Sequence, residues 1–400
     1  MTPPQWDAVV AGHICLDIHP DLSGLERKPF EEVFLPGRLI ATGPVSVSTG
    51  GPVSNTGLAL NRLGIAACLV GKIGDDLFGK AVCEVVASRG GHLTEGMVVD
   101  ASTTTSYTII ISYPGVDRIF LHNPGANDTF QASDVPYALL EQVRLFHFGY
   151  PPLMRSIYAN QGAQLEEIFR RAKETGVTTS LDMAFPDASS EAGRADWGSI
   201  LKSVLPYVDI FMPSVEEIFF MLRRATYQKL CAQVSGSAIL PRITPELLSE
   251  LGEEILAMGV KILGLKLGDR GLYLRTGRAE QMRDLGRARP SEPEAWAAKE
   301  MWAPCFEVKV AGTTGSGDAT IAGFLTALLH DLSIEEALIS AVAVGACNVE
   351  AADALSGIRT WEETTRRIAC DWERHTLDLN SPGWKFDALH HIWRGPCLSD

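Results

Sequence analysis

The sequence predicts an α/β fold with three αβα layers, built on a mostly parallel central sheet and carrying a small β lid. From residue 145 onward, short apolar stretches alternate regularly with helical ones, as parallel β–α units require. Two other segments, 30–48 and 104–123, break this rhythm and read as short strands. Hydrophobic residues make up 46% of the 400-residue chain and charged residues 21%, which indicates a packed core.

The N-terminal part supplies the first strands and helices of this plan. Residues 7–12 form an apolar run that ends at a glycine, which favours a buried strand. A helix is expected over 54–64, with Ser54 as N-cap and a glycine at its end. A strand over 66–74 and a helix over 77–90 follow.

The segment 104–123 differs because Thr, Ile and Tyr alternate along it on both sides of a PGVD turn. This pattern predicts a β-hairpin. Together with 30–48, the hairpin is expected to form a small sheet beside the main body.

The second half predicts a series of strand–helix units and two insertions. The insertions are 224–244 and 276–302, and the tail 370–400 carries three tryptophans that we expect to pack on the domain. The expected strands are 145–149, 177–183, 208–213, 260–267, 272–275 and 306–310, and the expected helices lie near 164–175, 197–205, 215 onward, 245–258, 318–330 and 334–352.

Composition excludes several classes of function. The net charge is −14 and Lys/Arg runs do not exceed two residues, so we expect no nucleic-acid partner. No uninterrupted apolar run reaches the length of about 18 residues that a membrane span needs. The start lacks the pattern of a signal peptide, and none of the eight cysteines forms a C-x-x-C pair. These features favour a cytoplasmic protein with reduced cysteines.

The stretch 310-VAGTTGSGDATIAG-323 has the strongest chemical signal in the chain. Its glycines allow backbone N–H groups to converge at a helix N-terminus, where the helix dipole favours an anion. Asp318 then stands in the first helical turn, where a carboxylate could take a proton from a hydroxyl that attacks phosphorus. A plain strand–helix turn with a capping Asp explains the same residues. The dinucleotide pattern G-x-G-x-x-G lacks its third glycine here, and the Walker sequence is absent.

Several motifs together resemble the ribokinase-like (PfkB) carbohydrate kinase family over about residues 7–358. The late signature of that family, D-T-x-G-A-G-D, reads here as Gly312 to Asp318. The resemblance implies that Asp318 is the catalytic base and that Gly315, Ser316 and Gly317 form the anion hole.

Other motifs imply the two substrate sites. The family's di-glycine followed by an asparagine matches 50-GGPVSN-55, and an acidic residue after the first strand matches 12-GHICLD-17. The residues that the resemblance assigns to the acceptor are Asp17, Gly51, Asn55 and Asn127. Those that it assigns to the nucleotide are Lys266, Gly268, Gly271, Thr314 and Asn348.

Ion binding is where the chain departs from the family. The N-x-x-E motif, linked to magnesium, reads Ser214 to Glu217 here, so Glu217 is the implied magnesium contact, through water. The same S-x-x-E sequence predicts a capping box. Gly312 replaces an aspartate that helps to bind an activating cation, which makes K⁺ activation doubtful. Pro52 stands where members that use phosphorylated sugars carry lysine, which favours an unphosphorylated acceptor.

The resemblance implies a Mg²⁺-dependent transfer of the ATP γ-phosphoryl group to a hydroxyl of a small sugar or polyol. It places a kinase domain at 1–360, with a lid from about 13–48 and 103–125, and a C-terminal extension at 361–400 packed on it. A homodimer through the lid is plausible. Two alternatives stay open: a nucleoside kinase whose lid aromatics Tyr107, Tyr113 and Phe120 stack on a base, and a non-catalytic sugar- or nucleotide-binding homologue. Sheet packing explains the same aromatics.

Overall fold

The computed structural model describes residues 6–25, 29–113, 118–233 and 239–396. The strands in these residues are β1 (Ala8–Gly12), β2 (Cys15–Pro20), β3 (Val45–Gly50), β4 (Ala67–Val70), β5 (Lys72–Gly74), β6 (Val98–Asp100), β7 (Tyr107–Ile111), β8 (Ile119–Asn123), β9 (Leu145–Gly149), β10 (Thr178–Asp182), β11 (Ile210–Phe211), β12 (Ile262–Lys266), β13 (Leu272–Thr276), β14 (Glu300–Ala303), β15 (Lys385–Asp387) and β16 (Ile392–Arg394).

The helices in the same residues are α1 (Phe30–Val33), α2 (Pro52–Arg62), α3 (Leu77–Ala87), α4 (Tyr137–Leu140), α5 (Arg155–Glu174), α6 (Glu191–Arg194), α7 (Trp197–Val204), α8 (Val215–Leu222), α9 (Arg224–Cys231), α10 (Pro245–Ala257), α11 (Ala279–Arg283), α12 (Pro293–Trp296), α13 (Ser316–Leu329), α14 (Ile334–Asn348) and α15 (Trp361–Ile368). The backbone of α5 is not helical at Ala159–Gly162.

The main sheet has ten strands in the order β15-β16-β14-β13-β12-β11-β10-β9-β1-β4. The run from β12 to β4 is parallel, and the four strands beyond β12 are antiparallel. Central strands such as β9 and β10 are buried at every residue, as expected when helices cover a parallel sheet. The predicted fold class, with its mostly parallel sheet, is confirmed.

The parallel strands bring the residues that follow them to one edge of the sheet. Gly12 pairs with Gly149, and Gly149 with Asp182, while an isolated parallel bridge joins Ser214 to Lys266. The carboxyl edge of an α/β sheet is where ligands bind in such folds. The segments after β9, β10 and β11 therefore border a common cleft, and the segment after β1 lies beside the one after β9.

The small sheet has the order β3-β2-β7-β8. β7 and β8 form the predicted antiparallel hairpin, and the residues of its PGVD turn lie outside the described ranges. β2 follows β1 after only His13 and Ile14, which fixes this sheet at the carboxyl edge of the main one. The small additional sheet predicted from the sequence is confirmed.

Three strand predictions need correction. Residues 306–310 form no strand; only Phe306 makes a bridge, to Arg374, and Val308 and Val310 face a cleft instead. The segment 66–74 divides between the main sheet (β4) and a two-stranded sheet (β5 with β6). The insertion 276–302 contains β14, a full member of the main sheet.

The C-terminal tail extends the main sheet through β16 and β15. Its Trp384 is buried against Trp302 and Tyr273, and Trp372 stacks on Phe306 with ring centroids 4.1 Å apart. The tryptophans of the tail thus have the predicted packing role. Across the described residues, no helix is both long enough and apolar enough to cross a bilayer.

Candidate active site

Asp318 occupies the first turn of α13, where the sequence places it, and its side chain is buried. Its carboxylate accepts three hydrogen bonds. Asn55 Nδ2 donates at 3.0 Å and Thr56 Oγ1 at 3.1 Å, both from α2. The Tyr150 hydroxyl donates at 2.9 Å. These bonds hold the carboxylate in one orientation, although it lies 263 residues from Asn55 in the chain.

Tyr150 has left-handed backbone angles, φ 63 and ψ 45, immediately after β9. This conformation is uncommon for a bulky residue, and such strain concentrates at functional sites. Burial and the neighbouring Asp318 raise the pKa of the Tyr150 phenol well above its usual range. The hydroxyl therefore stays protonated and keeps donating to Asp318.

The start of α2 is shaped by glycines. Gly51 has φ +87, and a Cβ atom there would lie 2.5 Å from the carbonyl oxygen of His13. On the strand side, a Cβ on Gly50 would lie 2.3 Å from Asp17 Oδ2. The two glycines therefore leave room for the Asp17 side chain on one side and for His13 on the other. Burial raises the pKa of Asp17, which indicates a largely enclosed carboxyl group.

The N-terminus of α13 has the geometry expected of an anion site. Gly315 is its N-cap with φ +72, and a Cβ there would lie 2.6 Å from Cβ of Ala354. The Ser316 N–H donates to the Thr313 carbonyl at 3.3 Å, so Gly317 is the less committed donor of this turn. A Cβ on Gly317 would lie 3.4 Å from Nζ of Lys266.

Lys266 brings a positive charge to the same turn. Its Nζ lies 2.6 Å from Asp182 Oδ1, and the Lys266 side chain is 13% exposed while that of Asp182 is 1% exposed. Burial lowers the pKa of Lys266, but Asp182 and Glu217 raise it by more, so the ammonium persists. Burial raises the pKa of Asp182 to about 8, even though Lys266 opposes this. Asp182 Oδ2 has no hydrogen-bond partner among the described residues.

A cleft of about 450 Å³ opens beside this charge cluster. Its polar end contains Lys266, Glu217, Ser316 and Gly317 together with Tyr150, and its apolar walls come from α14 and from Phe306 to Val310. Gly268 and Gly271 line the cleft as predicted. A side chain at Gly271 is excluded, because φ is +93 and its Cβ would lie 1.9 Å from the Ala303 carbonyl oxygen.

The Ser214–Glu217 capping box predicted from the sequence is present. The Ser214 N–H donates to Glu217 Oε2 at 2.7 Å, and the Glu217 N–H donates to Ser214 Oγ at 3.3 Å. Among the described residues, no group of three or more His, Cys, Asp or Glu side chains is arranged to hold a metal ion directly. Glu217 in the cleft and the unpartnered Asp182 Oδ2 fit an Mg²⁺ ion that keeps its waters and binds phosphates.

The presence of glycine at position 312 has a steric explanation. A Cβ there would lie 2.8 Å from the Ala352 carbonyl oxygen and 3.1 Å from that of Ala351. The loop after α14 therefore occupies the space that an aspartate side chain would need, and K⁺ activation stays doubtful.

Three predicted ligand residues use their polar atoms within the protein. Asn127 accepts from the N–H of Ile14 at 3.2 Å and donates to its carbonyl at 2.9 Å. Asn348 Nδ2 donates to the Ala354 carbonyl at 2.6 Å, its Oδ1 has no partner among the described residues, and it does not line the cleft. Thr314 accepts from the Arg118 guanidinium of the small sheet. These contacts favour a role for the three residues in holding neighbouring parts of the chain in place. Direct contacts of the three residues with a substrate stay predictions.

The lid aromatics are largely committed to packing. Tyr107 contacts Phe78 at a centroid distance of 5.3 Å, and the buried Tyr113 packs edge-on against Phe30 and Phe34. Phe120 is 54% exposed. The packing interpretation therefore holds for two of the three rings.

Sequence reasoning missed Tyr150, Thr56 and the Lys266–Asp182 pair. Thr56 could have been found, because it follows the motif residue Asn55 on the same helix. Tyr150 follows a buried strand at its carboxyl end, a position typical of functional residues. The pairing of Asp182 with Lys266 depends on strand order, which sequence alone does not give.

Comparison with known proteins identifies the family of this chain. The profile described as pfkB family carbohydrate kinase matches residues 8–361. Fructokinase-1 of Oryza sativa subsp. japonica is 24% identical over 368 residues, covering 89% of this chain and 95% of its own length. Probable fructokinase-5 of Arabidopsis thaliana is 25% identical over 346 residues, covering 84% and 89%.

Solved structures share the fold. The ribokinase of Arabidopsis thaliana, complexed with ribose and ATP, has a TM-score of 0.66 at 20% identity and covers 92% of this chain and 98% of its own. The fructokinase of Xylella fastidiosa with bound ATP has a TM-score of 0.66 at 18% identity, covering 91% and 98%. Since the family profile spans most of the sequence, this chain belongs to the pfkB family of carbohydrate kinases.

Proposed function

We propose that this protein is an ATP-dependent sugar kinase that phosphorylates a hydroxyl group of a neutral sugar or polyol. The observation that carries the proposal is the position of Asp318. Its carboxylate bonds to Asn55 on one side and belongs to the Gly315–Gly317 turn on the other. It therefore connects the two proposed substrate sites.

In the proposed reaction, Asp318 accepts the proton of an acceptor hydroxyl. The hydroxyl oxygen forms a bond to the γ-phosphorus of ATP while the bond between that phosphorus and the β,γ-bridging oxygen breaks, and ADP leaves. Backbone N–H groups of 315–317 and the Lys266 ammonium stabilise the charge on the transferring group without reorganisation. The residues that line the 450 Å³ cleft, and its volume, support the binding of a nucleotide there.

A magnesium ion would supply charge neutralisation at the ATP phosphates. Glu217 would hold it through water, with the unpartnered Asp182 Oδ2 as a second acceptor. Both side chains stand beside Lys266, so the cluster can balance an Mg²⁺ ion and phosphates of opposite charge.

On the acceptor side, Asp17, Gly51 and Asn55 would orient the sugar. Asn55 Oδ1 is buried and has no hydrogen-bond partner among the described residues, which leaves an acceptor atom for a sugar hydroxyl. The small sheet would close over the sugar and exclude water. The contact between Arg118 of this sheet and Thr314 of the glycine-rich turn supports such closure.

The test is ADP release in the presence of ATP and Mg²⁺ with ribose, fructose, inositol, 2-keto-3-deoxygluconate and nucleosides, each with and without K⁺. We expect turnover with a neutral sugar or polyol and a K⁺ effect below about twofold, since Gly312 offers no carboxylate. Turnover restricted to nucleosides would favour the nucleoside-kinase alternative. Sugar-induced thermal shifts without ADP release would favour a binding protein.

The lid also supports a proposal of self-association. Apolar side chains are exposed at Val45 and Val47 of the edge strand β3 and at Phe120 and Leu121 of the edge strand β8. Exposed strand edges can pair with a second chain. Light scattering with size-exclusion chromatography should then give twice the chain mass of 43.3 kDa, and a Val47→Lys variant should give the single-chain mass.

A further inference from the structure

His13 is a buried histidine whose ring has no hydrogen-bond partner. It follows β1 directly and is 2% exposed. Neither Nδ1 nor Nε2 has a partner among the described residues. Leaving a buried polar group unsatisfied costs about 1–3 kcal/mol, so a native structure keeps one where something else completes the bond.

The ring lies among the groups that surround Asp318. A Cβ on Gly51 would be 2.6 Å from His13 Nδ1, and Gly51 begins the helix that carries Asn55. The ring centroid is 6.3 Å from that of Tyr150, which donates to Asp318. Because Nδ1 faces Gly51, where only the missing side chain of glycine leaves it room, Nε2 is the nitrogen that we assign to a ligand.

The other neighbour is the small sheet. The centroid of the His122 ring on β8 is 5.4 Å from that of His13. A chain of contacts runs from this ring through Thr108 and Cys15 to Asp17: His122 Nδ1 lies 3.0 Å from Thr108 Oγ1, Thr108 bonds to Cys15 Sγ, and Cys15 Sγ lies 3.2 Å from Asp17 Oδ1. His13 therefore neighbours two groups, His122, which is linked to Asp17 by these contacts, and Tyr150, which donates to Asp318.

The unpartnered atoms have the chemistry of hydroxyl recognition. A neutral imidazole offers one donor and one acceptor, and Asn55 Oδ1, also unpartnered, offers an acceptor. A sugar hydroxyl both donates and accepts, so neighbouring hydroxyls can satisfy such a set. Burial, aided by His122, lowers the pKa of His13 to about 3, so the ring brings no positive charge at physiological pH. Asp17 and Asp318 make the surroundings unfavourable to an anionic sugar.

We propose that His13 determines acceptor specificity by hydrogen-bonding, through Nε2, a hydroxyl of an uncharged polyol next to the hydroxyl that Asp318 deprotonates. This inference rests on the proposed function and adds the residue that selects the acceptor. His13 holds the acceptor and takes no part in the proton transfer.

The test measures how much kcat/KM falls when one hydroxyl of the acceptor is removed. It compares the unaltered chain with His13→Ala and His13→Gln. The probes are D-fructose, D-ribose and myo-inositol, and then the monodeoxy analogues of whichever gives the highest kcat/KM. His147→Gln is the matched control, because His147 is also buried, its pKa is lowered to about 3 and its Nε2 also lacks a partner among the described residues, but its Nδ1 pairs with Ser180 Oγ at 2.9 Å within the main sheet.

For the unaltered chain, we expect one deoxy analogue to lose about tenfold or more in kcat/KM, as the loss of one hydrogen bond predicts. In His13→Ala this penalty should fall below about threefold, with KM for the parent sugar raised and KM for ATP changed less than about twofold. His13→Gln should restore part of the penalty, and His147→Gln should keep all of it.

Two results would overturn the inference while leaving the kinase proposal intact. They are equal discrimination in the His13 variants and the unaltered chain, and no analogue with a tenfold penalty in the unaltered chain. The second measurement needs no variant, so it holds even if both substitutions prevent folding. Preferred turnover of a phosphorylated or carboxylated sugar would contradict the neutral acceptor that the proposed function and this inference share. Absence of ADP release with every neutral polyol would instead remove the proposed function and this inference with it.

Discussion

Replacing Lys266 by methionine separates the structural and chemical roles of the buried ion pair. Asp182 is 1% exposed and its Oδ1 lies 2.6 Å from Lys266 Nζ. Breaking such a pair by removing one partner costs about 3–5 kcal/mol. Because burial already raises the pKa of Asp182 to about 8, its carboxyl group can take up a proton, and we expect a loss near the lower value. The double variant Lys266→Met/Asp182→Asn should recover about 2 kcal/mol of this loss.

Activity should not recover with stability. Lys266 stands beside Gly317 at the proposed phosphoryl site, and the loss of one preorganised charge-stabilising group typically lowers kcat by about 10²–10³. Both the single and the double variant should therefore lose that much in ADP-release assays, with stabilities measured by urea unfolding.

Lys173→Met is the matched control for a buried lysine. Lys173 lies 2.5 Å from the buried Asp209, at the amino end of β11 and therefore at the opposite edge of the sheet. In Lys173→Met, Asp209 would still pair with Lys261, whose Nζ lies 2.9 Å from it. The Lys173→Met variant should lose stability but keep its kcat. A Lys266→Met enzyme with kcat within about threefold of the unaltered chain would refute the phosphoryl role, and a stability loss below about 1 kcal/mol would refute the buried pair.

The remaining predictions concern the same edge of the sheet. Tyr150→Phe removes one of the three donors to Asp318 and should lower kcat about tenfold with KM for ATP unchanged; steady-state kinetics showing an unchanged kcat would contradict this. Burial raises the pKa of Asp182 in the folded state above its value of about 4 in the unfolded chain, so rising pH above about 4 removes stability. Urea unfolding should therefore show that the unaltered chain loses stability relative to Asp182→Asn as the pH rises from 5 to 8. If the unfolding free energies of the two proteins depended on pH in the same way, the pKa of Asp182 would not be raised. Gly271→Ala places a Cβ 1.9 Å from a carbonyl oxygen at φ +93 and should lower the melting temperature by several degrees, whereas Gly91→Ala, with open space around it, should not.

Most of the helices and strands could be predicted, because each depends mainly on the pattern of neighbouring residues. The run at 145–149 and the Thr/Ile alternation at 104–123 predicted β9 and the β7–β8 hairpin, since burial and turn chemistry are written in neighbouring residues. The glycines before Asp318 predicted a helix start there for the same reason.

Strand partners and long-range contacts were not predictable in this way. Residues 306–310 have the composition of a strand, but Phe306 pairs with Arg374 of the tail and the following valines line the cleft. β14 lies in a segment with scattered charges, and its partners β13 and β16 are distant in sequence. The donors that orient Asp318 come from two elements that only the sheet order brings together.

Asn127 and Asn348 show the limit of motif transfer. The motif fixes the residue type, but the structure shows both amides bonded to backbone groups of the surrounding loops. The sequence does not distinguish an asparagine that bonds to a loop backbone from one that binds a ligand.

The most direct test of the account is the turnover of Asp318→Asn with the preferred neutral sugar, measured together with sugar and ATP binding. Asparagine keeps the size of the side chain but cannot accept the proton. We predict that kcat falls by at least about 10²-fold while both ligands still raise the melting temperature. Turnover close to that of the unaltered chain would contradict the assignment of Asp318 as the base.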